Sequence, residues 1–293
     1  MLVAYLKALR IEQWTKNLVV FAALIFAKEF TNLDLVIQSI EAFILFCLAS
    51  SAIYLINDAI DAERDRKHPE KAKRPIASGE VNKGNAIVIA AIFIIIAAAG
   101  SVYLLNIYFF TTIISYLVLM LLYSLVLKQI VIIDVMVIAT GFVLRAVGGA
   151  VAIMVEISPW LIICTILLAL FIGFGKRRHE LTLLEDSAAD HRGILEHYSV
   201  GLLDQLISIV TAATIIAYAI YTLFGDVYEK IGVRHLELTI PFVIYGIFRY
   251  LYLIHKGDSG GTPTRILYTD LPILFTVLLW IASVFTLMYI SHL

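Results

Sequence analysis

Residues 36–79 read VIQSIEAFILFCLASSAIYLINDAIDAERDRKHPEKAKRPIASG, an apolar run that passes directly into a block of charge. The first part, near 36–60, is long enough to cross about 30 Å of hydrocarbon as a helix. At its end Asp58, Asp61 and Asp65 stand at i, i+3 and i+7, on one stripe of a continuing helix. Asn57 precedes them and lies about 6 Å along the axis from Asp61. Carboxylates this close repel one another unless a cation sits among them, and hard oxygen donors suit Mg²⁺ bridging to phosphate. A basic run follows through Arg64, Arg66, Lys67, Lys71, Lys73 and Arg74, closed by Pro75 and Gly79. An acidic metal stripe beside a cationic loop suits a polyanion such as a diphosphate. On a soluble helix the same mixture would read as a solvated end. After a membrane span it reads as a site.

The rest of the chain fits that setting. Of 293 residues, 61% are hydrophobic and only 15% charged, with mean hydropathy +0.93. A soluble domain carries about 25% charged residues. Apolar runs of membrane length recur near 17–31, 36–60, 85–105, 107–127, 131–155, 159–176, 200–224, 238–255 and 270–290. These predict an all-α integral membrane protein, a bundle of about nine transmembrane helices, as one domain over 1–293. Most Lys and Arg fall in alternate connections, so the positive-inside rule predicts a cytoplasmic N-terminus, with the Asp stripe on the same side. Residues 1–17 read as an interfacial helix with Trp14 at headgroup depth, not as a cleaved signal. Cys47 and Cys164 lie inside apolar runs and read as small core residues.

Further polar groups interrupt the apolar runs. Tyr123 and Lys128 border the turn between the fourth and fifth expected spans, followed by Asp134 and then Gly141, Arg145, Gly148 and Gly149. Asp134 and Arg145 fall inside a span, where charge is costly enough to imply a partner or a water-filled cavity. The glycines read as a helix-packing face rather than a phosphate loop. After the sixth span come Lys176, Arg177, Arg178 and Glu180, then Arg192 in a polar loop. The cations could end a span or clamp a second phosphate. The loop Lys256 to Thr264 reads mainly as a flexible connector. No Ser-His-Asp arrangement or zinc spacing is present, and no basic patch points to nucleic acid.

The order of these motifs resembles the UbiA superfamily of intramembrane transferases. The resemblance rests on Asn57-Asp58-x-x-Asp61-x-x-x-Asp65 with Lys73-Arg74-Pro75 and Gly79. Gln13 to Asn17, Tyr123 to Lys128, Gly141 to Ala146, and Gly260 with Asp270 follow in the expected order. It implies a nine-helix fold, Mg²⁺ held by Asp58, Asp61 and Asp65, and a multi-pass protein of the cell membrane facing the cytoplasm. Aromatic prenyltransferases of the superfamily carry a second Asp-rich motif after the sixth helix, where this chain has Lys176, Arg177, Arg178 and Glu180. That departure is similar to the decaprenyl-phosphate phosphoribosyltransferase branch. The branch implies transfer of 5-phosphoribose from phosphoribosyl pyrophosphate to a polyprenyl phosphate, toward a lipid-linked arabinofuranose donor for cell-wall assembly. Asp58, Asp61 and Asp134 would then be catalytic. Lys16, Asn17, Asn57, Lys73, Arg74, Tyr123, Lys128, Arg145, Lys176, Arg177 and Arg192 would bind substrate. Membrane lipid is an expected partner, and a homo-oligomer is compatible with the reading. The alternatives are a prenyltransferase acting on an aromatic acceptor and a transporter of phosphorylated solutes.

Overall fold

The computed structural model describes residues 2–67, 71–183, 193–224, 233, 235–256, 266 and 269–290. All regular structure among these residues is helical. The chain opens with α1 (Leu2–Ala8), a 3-10 stretch (Ile11–Phe21) and α2 (Ala22–Phe26). The long helices follow: α3 (Leu33–Asp65), α4 (Lys83–Gly100), α5 (Ile107–Leu125) and α6 (Ile133–Ala152). Then come α7 (Pro159–Leu183), α8 (Val200–Phe224), α9 (Ile240–Lys256) and α10 (Leu271–Ile290). Among the described residues, the eight helices α3 to α10 are long and apolar enough to cross a membrane. Ile87, Val88, Ile92, Ile95 and Ile96 of α4 lie exposed, a surface suited to hydrocarbon and not to water.

The expected span near 17–31 takes a different form. An 11-residue 3-10 stretch runs into the five-residue α2 and a short turn at Glu29–Thr31. Uninterrupted 3-10 structure of that length is uncommon, and here side chains hold it. Trp14 Nε1 donates to Ser51 Oγ at 3.0 Å, and Asn17 Nδ2 donates to Cys47 Sγ and Ser50 Oγ, both at 3.2 Å. A Cβ on Gly149 of α6 would overlap the Val20 carbonyl oxygen, so only glycine admits this approach. Gly148 similarly accommodates the Phe46 ring. The expected glycine packing face is therefore present.

The described chain forms two compact units. The first comprises Met1–Ile130 with Thr140–Ile157, the second Val131–Ala139 with Ser158–Leu293. In the first, Ala52, Leu55 and Ala62 of α3 pack with Ala86 and Ala90 of α4 and with Ile76 and Val81 of the intervening loop. Small residues on both helices permit that close packing. The second unit has a core built from Phe171 and Phe174 of α7, Leu203 and Ile207 of α8, and Tyr250 and Leu253 of α9.

Candidate functional site

α3 carries the acidic stripe. Its 33 residues span about 50 Å, so its last turns extend the helix well past one membrane thickness. The side chains of Asp58 and Asp65 are only 4% and 6% exposed. Arg74 Nη1 lies 3.1 Å from Asp58 Oδ1 and 2.6 Å from Asp65 Oδ2, joining the two carboxylates through one nitrogen. The loop that presents Arg74 is anchored by buried Ile76, Ala77 and Val81, and turns at Gly79 with φ +86°. Arg66 Nε donates to the Ala77 carbonyl at 3.0 Å, tying the helix end to the same loop. Asp61 has a different partner: Lys128 Nζ sits 2.8 and 2.7 Å from its two oxygens and 3.4 Å from Asn57 Oδ1.

The third cation is Arg10, which the motif reading did not include. Its Nη2 donates to both Asp58 oxygens, at 2.6 and 2.8 Å, and its guanidinium stacks 4.9 Å over Tyr54. Arg10 adopts a left-handed backbone, φ 52° and ψ 49°, at the turn between α1 and the 3-10 stretch. Ser51 Oγ secures that turn by donating to the Leu9 carbonyl at 2.9 Å. Arg10 lies 48 residues from Asp58, so only the fold brings the two together.

A second network fills the interior of the same unit. Arg145, 6% exposed, donates through Nε to Asn17 Oδ1 at 2.6 Å, through Nη1 to the Gly141 carbonyl at 2.9 Å and through Nη2 to Tyr116 Oη at 2.8 Å. The rings of Tyr116 and Phe142 lie 4.8 and 5.2 Å from the guanidinium. All of these acceptors are neutral, so among the described residues the buried positive charge is balanced by dipoles and ring faces. Lys16 feels it: burial first, then the charges of Arg145 and Arg10, push its amine down to about 8. Asn17 is fully buried, so it orients Arg145 rather than facing solvent. Tyr123 is half-buried and Lys73 is exposed.

The second unit treats its charges otherwise. Asp134 is 0% and Arg177 2% exposed; Arg177 Nε donates to Asp134 Oδ2 at 2.6 Å and its Nη1 to Glu180 Oε2 at 2.5 Å. Tyr198 Oη donates to Asp134 Oδ1 at 2.8 Å and accepts the Ile132 amide at 2.7 Å. That amide belongs to a β-branched residue at φ 69°, a conformation costly enough to need such a clamp. Burial pushes the Tyr198 phenol up to about 12, which keeps its proton in place for Asp134. Neighbouring residues on a helix diverge by about 100°, and the run Lys176-Arg177-Arg178 accordingly separates. Lys176 remains 43% exposed near Glu180, Arg177 turns inward to Asp134, and Arg178 pairs with Asp204 at 2.5 Å. Three adjacent cations thus do not form one clamp. Arg192 and most of the polar loop around it lie outside the described residues.

The expected three-aspartate metal set also divides, into Asp58 with Asp65 and, separately, Asp61. Among the described residues no three acidic, histidine or cysteine side chains converge as metal ligands. The donor chemistry still fits Mg²⁺. Asp58 and Asp65 offer hard oxygens that a single cationic nitrogen already bridges, and Asp61 and Asn57 add oxygens one turn apart.

The chain matches the UbiA prenyltransferase family over residues 17–269 and belongs to it. It is a multi-pass membrane protein of that transferase family. Its relatives include a decaprenyl-phosphate phosphoribosyltransferase of Corynebacterium glutamicum, 33% identical over 97% of this chain and 86% of the relative. Another, of the same name, comes from Mycolicibacterium smegmatis and is 33% identical over 98% of this chain and 92% of its own. Among solved structures, a UbiA homolog from Archaeoglobus fulgidus bound to GPP and Mg²⁺ has a TM-score of 0.73 at 19% identity, covering 98% of this chain and 99% of that one.

Proposed function

We propose that this chain is a Mg²⁺-dependent polyprenyl-phosphate phosphoribosyltransferase. It takes 5-phosphoribose from phosphoribosyl pyrophosphate, attaches it to a decaprenyl-type phosphate at the cytoplasmic face of the cell membrane and releases diphosphate. The lipid product would lead toward an arabinofuranose donor for cell-wall assembly. One observation carries the reading: full-length relatives of that activity coincide with an oxygen-only acidic stripe ringed by Arg10, Arg74 and Lys128.

In the reaction, the bond from ribose C1 to the diphosphate oxygen breaks and the leaving group takes its electron pair. A bond from C1 to a lipid phosphate oxygen forms. That oxygen is already ionised at neutral pH, so no side chain need remove a proton. Positive charge develops at C1 as the diphosphate departs, as in other glycosyl transfers. Mg²⁺, when bound, neutralises the leaving diphosphate. Asp58 and Asp65, with Asp61 and Asn57, would hold it. Arg10 and Arg74 give forked, charge-assisted hydrogen bonds to diphosphate oxygens, and Lys128 gives a point charge. Lys16, with Arg145 behind it, forms a second positive station suited to another phosphate. Lys176, at 43% exposure, is the member of its run best placed to meet a phosphate arriving from solvent.

The test is transfer of label from phosphoribosyl pyrophosphate to polyprenyl phosphate by the purified protein, with and without Mg²⁺. A labelled lipid formed only with Mg²⁺ is expected. The family, that of the UbiA prenyltransferases, favours a second reading, prenyl transfer, with an aromatic compound as the alternative acceptor. Consumption of a prenyl diphosphate in place of phosphoribosyl pyrophosphate would replace the first reading with the second.

A further inference from the structure

The acidic stripe is electrically closed. Three carboxylates, Asp58, Asp61 and Asp65, face three cations, Arg10, Arg74 and Lys128. The layering matters as much as the count. Asp58 and Asp65 are 4% and 6% exposed, whereas Arg10 and Arg74 above them are 24% and 27% exposed. At Asp61 the order is reversed but the closure is the same: both oxygens are taken by Lys128, itself 11% exposed. A ligand arriving from solvent meets guanidinium groups before it meets the carboxylates of Asp58 and Asp65. A divalent cation that takes both Asp58 oxygens and Asp65 Oδ2 displaces Arg10 and Arg74, and the displaced charges need somewhere to go.

We infer that Arg10, Arg74 and Lys128 act as exchangeable place-holders that bar the metal alone and admit it together with a diphosphate. A metal ion by itself adds two positive charges to a neutral cluster and leaves Arg10 and Arg74 without partners. A diphosphate brings oxygens that accept the released side chains as the carboxylates turn to the metal. Metal and diphosphate therefore bind synergistically, and by linkage each raises the other's affinity by the same factor. The device keeps the carboxylates from capturing a metal ion when no diphosphate is there. Arg10 becomes a substrate-binding residue, with its left-handed turn and its seat over Tyr54 holding it above Asp58. The inference rests on the proposed use of these carboxylates for a metal and a diphosphate.

Equilibrium dialysis of the purified protein with Mn²⁺ and labelled pyrophosphate, separately and together, tests it without turnover. Pyrophosphate should tighten Mn²⁺ by at least about tenfold, and Mn²⁺ should tighten pyrophosphate equally, within the usual range of such couplings. The variants give an inverted signature. Arg10→Gln and Arg74→Gln should bind Mn²⁺ alone more tightly than the wild type while binding pyrophosphate more weakly. Arg10→Lys should restore part of the coupling. Lys128→Gln tests the same exchange at Asp61, should either arginine variant fail to fold. Equal Mn²⁺ affinity with and without pyrophosphate would overturn the place-holder inference and leave the transferase reading intact. Variants that lose Mn²⁺ and pyrophosphate affinity together would also overturn it. Failure to bind Mn²⁺ at all, even with pyrophosphate, would instead remove the metal assignment on which both readings stand.

Discussion

The two units each contain a charge network centred on aspartate, and the two networks differ in kind. Around Asp58, Asp61 and Asp65 the cations are partly open to solvent, and Arg74 is shared between two carboxylates. Around Asp134 nearly everything is dry: Asp134, Arg177 and Tyr198 are 0%, 2% and 5% exposed, and both carboxylate oxygens are committed. A partly hydrated network with redundant partners can change partners at low cost. A dry one cannot, because taking away either member removes a compensating charge that water is not there to replace. The first arrangement suits ligand exchange. The second suits holding a backbone in place, and it grips Ile132 at the start of α6. The sequence reading takes Asp134 as catalytic and Arg177 as substrate-binding. In the structure the two side chains pair with each other.

Substitutions can break that contrast. The largest effect is expected from Asp134→Asn, which takes the buried carboxylate from Arg177 Nε and leaves the pair of its Nη1 with Glu180, and should cost on the order of 3 kcal/mol of stability. Thermal unfolding in detergent measures it, and an unchanged midpoint would move Asp134 into the exchangeable class. Asp58→Asn should behave oppositely, lowering transfer on the order of 10²-fold or more with a midpoint close to wild type. Near-normal turnover would remove Asp58 from the diphosphate site. Tyr198→Phe sharpens the comparison, since it deletes one hydroxyl and leaves the strained Ile132 amide without its acceptor. A loss of about 1–3 kcal/mol is expected, again read by unfolding, with a much smaller change in the apparent affinity for pyrophosphate.

The mildest test uses pH. Lys16 titrates near 8 in the folded chain against an ordinary 10.5. Between those values the unfolded chain binds more protons, so this group's contribution to stability rises with pH across that window. Its contribution to anion binding runs the other way, because the positive charge is lost above about 8. Phosphate affinity should therefore weaken as pH passes 8. Lys16→Arg should abolish that limb, whereas a limb that persists would belong to another group.

Much of this was legible in sequence. Apolar length predicts α3 to α10 because membrane helices satisfy their own backbone and need little tertiary information. The i, i+3, i+7 spacing places the aspartates on one stripe, and proximity in the chain brings Arg74 to Asp58 and Asp65. What escaped depends on contacts distant in sequence. Arg10 looks like one of many basic residues flanking a span until the turn at residues 9–11 docks on Ser51 and Tyr54. Residues 17–31 carry a membrane-like composition, yet Trp14 and Asn17 find partners on α3 that hold residues 11–21 on a 3-10 path. The cation run at 176–178 reads as one patch when written on a line, and the helix sends its members in different directions.

The length of α3 has a consequence for the lipid around it. At about 50 Å against some 30 Å of hydrocarbon, the helix exceeds the bilayer by far more than an ordinary tilt of about 20° can absorb. The surplus must protrude, and Asp58 to Asp65 occupy one protruding end. Thickening or thinning the bilayer by a few ångströms changes how much of the apolar shaft is wetted, while the carboxylates stay on the aqueous side. The depth at which a water-soluble phosphate ester would meet a lipid-borne acceptor is thus set by the protein rather than by the membrane it occupies.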